Sequence, residues 1–200
     1  MKSGRAWLLT NSKENKLARK ILLGVTGSIA AYMACDLVNR LVESHAEVRC
    51  VMTREAQEFI RPLSLEVLSG HPVYTDLFAS GQTQGPLHTT LAQWADLVLV
   101  APCSANLIGK LAHGIFDDLL TCIVSATEAK VVICPAMSEG MYKRPVVQAN
   151  LAALKRWGVH CVGPVKGHLA CKIEGIGHLA SSEEIVTVVK KLLRSHADPS

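Results

Sequence analysis

The chain has 200 residues, 49% of them apolar and 19% charged, which suits one globular domain with a single core and excludes a disordered polymer. The net charge of +4 is mild, and no Lys/Arg run is dense enough for a nucleic-acid surface. No apolar run approaches the about 18 residues of a membrane helix, and the abundance of Ala, Val, Leu and Ile suits a buried parallel sheet under helices.

The first residues are polar. Ala6-Trp-Leu-Leu9 is too short for a signal segment, so residues 1–18 read as a tail and 19–196 as the single domain. From there strand and helix signals alternate. Lys20–Val25 is a strand, and Ile29, Met33, Leu37 and Leu41 repeat at helical spacing up to Glu43. Glu47–Met52 is a second strand, with Thr53 as cap of a helix beginning at Arg54. Pro62–Leu68 is a short helix stopped by Ser69-Gly70, and Pro72–Tyr74 a short strand. Ala79–Leu87 reads as a loop, Thr90–Ala95 as a helical turn, and Asp96–Val100 as a central strand ending at a sharp Pro turn. Asn106–His113 and Asp118–Ala126 are helical, Lys130–Cys134 is a strand, and Pro145–Trp157 is a helix with Pro145 in its first turn. Val159–Val162 is the last strand. Gly163–Ala180 reads as a long Gly-rich lid loop, and Ser182–Ser195 as a closing helix with Ser182 at its N-cap. The alternation predicts a three-layer α/β/α domain with a mostly parallel sheet, Rossmann/flavodoxin-like.

Three junctions share one grammar, an apolar strand followed by small residues and a helix. They are Leu23-Gly-Val-Thr-Gly-Ser-Ile-Ala30, Leu97-Val-Leu-Val-Ala-Pro-Cys-Ser-Ala-Asn106 and Val132-Ile-Cys-Pro-Ala-Met-Ser138. Such junctions place free backbone N–H groups at the carboxyl edge of a sheet, where open α/β folds bind small ligands. Gly27 and Ser28 open a helix, as an anion site does, though a tight turn accounts for them equally well. The stretch is not Gly-x-Gly-x-x-Gly, and the second strand ends in Met52-Thr53 without an acidic residue for a ribose. A mononucleotide is therefore expected over a dinucleotide. The seven cysteines, Cys35, Cys50, Cys103, Cys122, Cys134, Cys161 and Cys171, are odd in number and form no Cys-x-x-Cys. They read as reduced thiols of a cytoplasmic protein, and no metal site is expected. Cys50, Cys122, Cys134 and Cys161 fit buried inert thiols, whereas Cys171 sits in the Gly-rich segment. Asp118 reads as a helix cap or a partner for a ligand hydroxyl.

Taken in order, Gly24-Val-Thr-Gly-Ser-Ile-Ala-Ala-Tyr32, His88 with Trp94-Ala-Asp96, Ala101-Pro-Cys-Ser-Ala-Asn106, Ala112-His-Gly-Ile-Phe-Asp-Asp-Leu-Leu-Thr121, Pro135-Ala-Met137 and Leu169-Ala-Cys171 resemble the homo-oligomeric flavin-containing cysteine decarboxylases. The similarity covers about residues 20–190. It implies FMN held by Gly27, Ser28, Thr53, Ser104, Ala105, Asn106 and Ala136. It implies His88 as catalytic base and Cys171 as proton donor, with Met137, Ser138, Ala170 and Lys172 toward the substrate. The expected reaction is decarboxylation of 4′-phosphopantothenoylcysteine to 4′-phosphopantetheine in coenzyme A biosynthesis. The expected partners are this small phosphorylated molecule and further copies of the chain, as a homotrimer or homododecamer with the flavin at a subunit contact. Neither nucleic acid nor membrane is expected. The resemblance also explains why a flavin serves a decarboxylation. The cysteine carboxylate sits on a Cα with no neighbouring electron sink, and removal of a hydride from Cβ as the thiol loses its proton creates one as C=S.

The chain departs from the family pattern in three places. Ser138 stands where the family has an Asn for the substrate carboxylate, Lys172 follows the lid cysteine in place of Gly, and Leu107 follows Asn106 in place of Thr. Two alternatives remain beside the expected enzyme. A peptide cysteine decarboxylase lacks the lid cysteine that Cys171 provides. A flavin-binding regulatory or inactive relative is favoured by Ser138.

Overall fold

The computed structural model describes residues 18–78, 86–168 and 174–194. Its centre is a parallel sheet of β1 (Lys20–Val25), β2 (Glu47–Met52), β3 (Leu97–Cys103), β4 (Lys130–Pro135) and β5 (His160–Cys161), in the order β2-β1-β3-β4-β5. Leu23 lies opposite Cys50 on one side and Leu99 on the other, and Leu99 opposite Val132. Every residue of β3 is buried, as a central strand covered on both faces requires.

Alternation along the strands divides the interior into two layers. Ile21, Leu23, Leu97 and Leu99 face one side, where α1 (Met33–Glu43), α2 (Pro62–Ser69) and α8 (Ser182–Arg194) contribute Leu37, Leu65 and Ile185. Leu22, Val98 and Val100 face the other, against Leu91 of α3 (Leu87–Trp94), Ile108 of α4 (Ala105–Ala112), Ile123 of α5 (Leu119–Ala126) and Leu154 of α7 (Pro145–Arg156). This is the expected three-layer α/β/α arrangement. Leu99, fully buried in the middle strand, is the kind of side chain whose truncation to Ala costs about 2–5 kcal/mol.

The structure moves several predicted boundaries. The expected helix from Ile29 starts as a 3₁₀ turn, Ile29–Tyr32, and becomes α1 at Met33. After β2, Thr53 Oγ1 accepts from the Ala56 amide, but what it caps is a 3₁₀ turn, Glu55–Glu58. The short strand at 72–74 reduces to a single bridge between Tyr74 and Val51. The expected loop at Ala79–Leu87 falls largely on residues outside those described. Its last residue opens α3, which starts three residues before the predicted turn and includes His88. β3 does not stop at Val100; it runs through Pro102, because a register shift between Val100 and Cys103 spares the ladder the N–H that proline lacks. Ser182 is inside α8, and the amide of Glu184 donates to Ser181 Oγ instead, so the cap lies one residue earlier. A short helix, α6 (Glu139–Tyr142), was not foreseen.

The largest correction concerns Gly163–Ala180. This stretch is not simply a loop, since β6 (Val165–His168) and β7 (Glu174–His178) pair antiparallel as a second small sheet. Cys171, Ala170 and Lys172 lie between them, outside the described residues. Among the described residues, no helix is long and apolar enough to cross a membrane.

Candidate functional site

Strand order reverses between β1 and β3, which splits the loops at their carboxyl ends and opens a crevice there. A cavity of about 600 Å³ occupies it, within the roughly 300–1,000 Å³ of small-molecule sites. The first junction contributes Thr26, Gly27 and Ser28, the second Ser104, Ala105 and Asn106, and the third Ala136, Met137 and Ser138. Thr53, from the end of β2, joins them. The predicted residues of all three junctions therefore meet at one place.

Thr26 ties the first two junctions together, and the sequence reading missed its role. It is 1% exposed; its Oγ1 donates to the Pro102 carbonyl at 2.8 Å and accepts from the Ser104 amide at 2.9 Å. Its position inside an apolar strand end was the available signal, because a buried hydroxyl there requires a partner. Ser104 Oγ in turn accepts from the Leu107 amide at 3.3 Å and caps α4. Ser28 Oγ accepts from the Ala30 amide at 3.3 Å. Each of these two hydroxyls keeps its own hydrogen to donate to a ligand oxygen.

Gly27 has a packing reason as well as a ligand reason. A Cβ there would stand 2.5 Å from Glu55 Cβ, so the turn after β2 is seated directly against it. Asp118 lines the cavity and caps α5 through a reciprocal box with Thr121, while its other oxygen receives Lys110 Nζ at 3.1 Å. The expected cap is observed, and Asp118 also lines the cavity. Ser138 is exposed and its side chain makes no capping bond to α6, which leaves its hydroxyl uncommitted among the described residues. The second small sheet supplies Gly177, His178 and Leu179 to the wall beside Ser138. Ile29, Tyr32, Leu107, Met137 and Met141 add apolar surface. Small residues at three strand ends, free hydroxyl donors and apolar flanks suit a planar heteroaromatic group carrying an anionic tail.

His88 does not line this cavity. It is half-buried near the start of α3, at the same edge of the sheet because α3 leads back to the beginning of β3. The described cysteines are unpaired. Cys103, Cys134 and Cys50 are buried, and burial raises all three thiols, Cys50 to about 12. Cys122 and Cys161, expected to be buried, are only partly so, although desolvation still raises them.

A protein-family model described as Flavoprotein matches residues 9–194. The bifunctional coenzyme A biosynthesis protein CoaBC of Bacillus subtilis (strain 168) is 44% identical over 173 residues, which are 86% of this chain and 43% of that protein. The chain thus spans less than half the length of the CoaBC relatives. A probable phosphopantothenoylcysteine decarboxylase of Streptococcus mutans is 41% identical over 179 residues, covering 88% of this chain and 100% of the relative. Among solved structures, a mutant PPC decarboxylase complexed with pantothenoylaminoethenethiol superposes with a TM-score of 0.82 at 34% identity, over 88% of this chain and 99% of the other. The FMN-binding protein AtHal3 gives 0.79 at 35%, over 88% and 97%.

Proposed function

The chain belongs to the Flavoprotein family, and from that premise we propose that it is an FMN-dependent carboxy-lyase converting 4′-phosphopantothenoylcysteine to 4′-phosphopantetheine and CO2. The observation that carries this reading is the crevice between β1 and β3, where Gly27, Ser28, Ser104, Ala136 and Ser138 line one cavity. The phosphopantothenoylcysteine decarboxylases among its relatives support the substrate.

In this reading the flavin supplies a reversible hydride acceptor next to the cysteine Cβ. The chain's own groups do the rest. Gly27, Ser28, Thr53, Ser104, Ala105, Asn106 and Ala136 hold the cofactor, with backbone amides and hydroxyls donating to its oxygens. Ser138 donates its free hydroxyl to the substrate carboxylate beside Met137, and Ala170 and Lys172 are assigned to the substrate as well. Cys171 delivers a proton to the product carbon once CO2 has left. His88 moves the proton at the substrate thiol. Because it lies off the cavity of its own copy, it acts in the cavity of a neighbouring copy, and the family resemblance supplies the number of copies, a homotrimer or a homododecamer built from trimers. Ile29 and Tyr32, 59% and 61% exposed at the cavity, are the apolar surface such a neighbour covers. A cytoplasmic location fits the reduced thiols.

The test is turnover of 4′-phosphopantothenoylcysteine by the purified yellow protein, followed as CO2 release. Flavin-loaded protein that releases no CO2 from this substrate defeats the proposal.

A further inference from the structure

The cavity has a floor and a wall of different origin. The floor comes from the ends of β1 and β3. The wall beside Ser138 comes from two separate pieces of chain, Met137–Ser138 after β4 and Gly177–Leu179 at the end of β7. Three observations show how the two pieces are held together. The Met137 amide donates to the Gly177 carbonyl at 3.0 Å. The Ile176 amide donates to Glu139 Oε1 at 3.2 Å. Two glycines allow the approach: a Cβ on Gly177, whose φ is +145°, would stand 2.1 Å from the Met137 carbonyl oxygen, and one on Gly175 would stand 2.9 Å from Glu139 Cδ.

We propose that Glu139 is a positioning residue, whose carboxylate fastens β7 to the segment carrying Ser138 and so sets the width of the substrate end of the cavity. Glu139 follows Ser138 directly and opens α6, so any movement of its carboxylate is passed to Ser138 through one peptide unit. The Met137–Gly177 bond joins backbone to backbone. The Glu139–Ile176 bond is a side-chain tie between the two pieces, and it is charge-assisted. Lys143, one turn along, holds the same carboxylate oxygen at 3.0 Å and keeps the side chain folded toward β7. The ends of β1 and β3 have no part in this tie, and of the proposed cofactor residues Ala136 alone adjoins the wall, held separately by its amide on the Cys103 carbonyl. Loosening the tie is therefore expected to affect the substrate far more than the flavin.

This inference rests on the proposed decarboxylase activity, and the experiment separates the two. Wild type, Glu139→Ala, Glu139→Gln and Gly175→Ala are purified with FMN. Three quantities are measured: FMN stoichiometry, KM and kcat for 4′-phosphopantothenoylcysteine, and hydrogen exchange of the Ile176 amide. Glu139→Ala is expected to raise KM about tenfold, the loss of one charge-assisted bond, with kcat changed less than about threefold and FMN stoichiometry unchanged. Glu139→Gln retains an acceptor oxygen and is expected to restore KM to within about threefold of wild type. Gly175→Ala displaces the carboxylate without removing it and is expected to behave like Glu139→Ala, which keeps the test alive if either variant folds poorly. A wild type that binds FMN without turnover refutes the proposed activity, and the Ile176 amide then still reports the tie. Unchanged KM in Glu139→Ala, or an Ile176 amide equally protected with and without the carboxylate, overturns the inference. So does FMN lost in parallel with activity, which marks general unfolding.

Discussion

Thr26 shows how much rests on single polar atoms at this site. Its buried hydroxyl donates to the Pro102 carbonyl and accepts from the Ser104 amide, so one oxygen fastens the end of β1 to the end of β3 in the cavity floor. Thr26→Val keeps the shape and strands the Ser104 amide, while the Pro102 carbonyl keeps only the Thr26 backbone amide at 3.3 Å. The expected cost is about 1–3 kcal/mol in urea unfolding, with lower FMN occupancy on purification. A variant as stable as wild type would mean that water replaces the hydroxyl. Ser138 is the opposite case, a hydroxyl with no partner among the described residues. An Asn there reaches farther and offers two donors, so Ser138→Asn is expected to speed single-turnover CO2 release, by up to about 10²-fold if the missing donor is a preorganised one. A wild type already as fast as the variant shifts the carboxylate contact to Lys172, and Lys172→Ala then loses activity. Cys171→Ser is expected to release oxidised enethiol product, detected by mass, while His88→Asn blocks the first oxidation.

At the scale of elements, the α4–α5 connection is the clearest case of local physics near the site. Asp118 caps α5 with Thr121 and also receives Lys110. Asp118→Ala is expected to cost about 1 kcal/mol of unfolding free energy, whereas Asp118→Asn, which caps equally well, should recover most of it. Equal losses in both variants would make Lys110 the more important partner. Hydrogen bonding to Asp117 and Asp118 raises the Lys110 ammonium, and hydrogen bonding to Lys110 lowers the Asp117 carboxyl. The pair's contribution is therefore present above the ordinary Asp range near about 3.9 and fades as pH falls through the lowered value. At the other end it is present below the ordinary Lys value near about 10.4 and fades as pH rises through the raised one. Asp117 is 57% exposed on its side chain, so screening keeps the effect small.

The same scale shows which elements could be read in advance. β1 and β2 were legible to the residue, because apolar runs between polar turns leave few alternatives. α2 and α7 were legible because Pro starts and Gly or a basic turn ends them. The second small sheet was not. Gly163, Gly167, Gly175 and Gly177 look like loop punctuation, but Gly175 and Gly177 are glycine because Glu139 and Met137 press against them from another strand's connection. Such tertiary causes leave no periodicity in sequence. The site was legible wherever a junction carries its own small residues, as at Gly27, Ser104 and Ala136. It was illegible where contacts come from 141 and 177–179, which reach the crevice only through the folding of distant segments.

For the whole molecule, the proposed catalytic role of His88, which does not line its own chain's cavity, predicts a shared site, and mixing tests this directly. His88→Asn and Cys171→Ser variants are each expected to be inactive alone in forming normal product. Unfolded together and refolded as mixed assemblies, they should regain activity at about one quarter of the sites, the fraction given by random assortment of copies. Homogeneous assemblies of either variant regain none. Mixed assemblies that also stay inactive would place His88 and Cys171 in the same copy's site. Light scattering of the wild type is expected to give a mass that is a multiple of three chains; a monomer at micromolar concentration contradicts the shared site.

The division of the cavity into a floor from β1 and β3 and a wall from 137–142 and 174–179 makes the site modular. In the proposed reading, cofactor grip falls mostly on the ends of β1 and β3 and substrate choice on the wall, and the two adjoin at Ala136 and Met137, where the Ala136 amide donates to the Cys103 carbonyl at 3.0 Å. Grafting both wall segments together from a relative with another thiol substrate is therefore expected to exchange specificity while the protein stays yellow. Grafting either alone breaks the fit between Glu139 and the glycines of β7. Divergence within such a scaffold then proceeds by paired replacement, and the two segments form one inherited unit despite the 31 residues between them, 143–173.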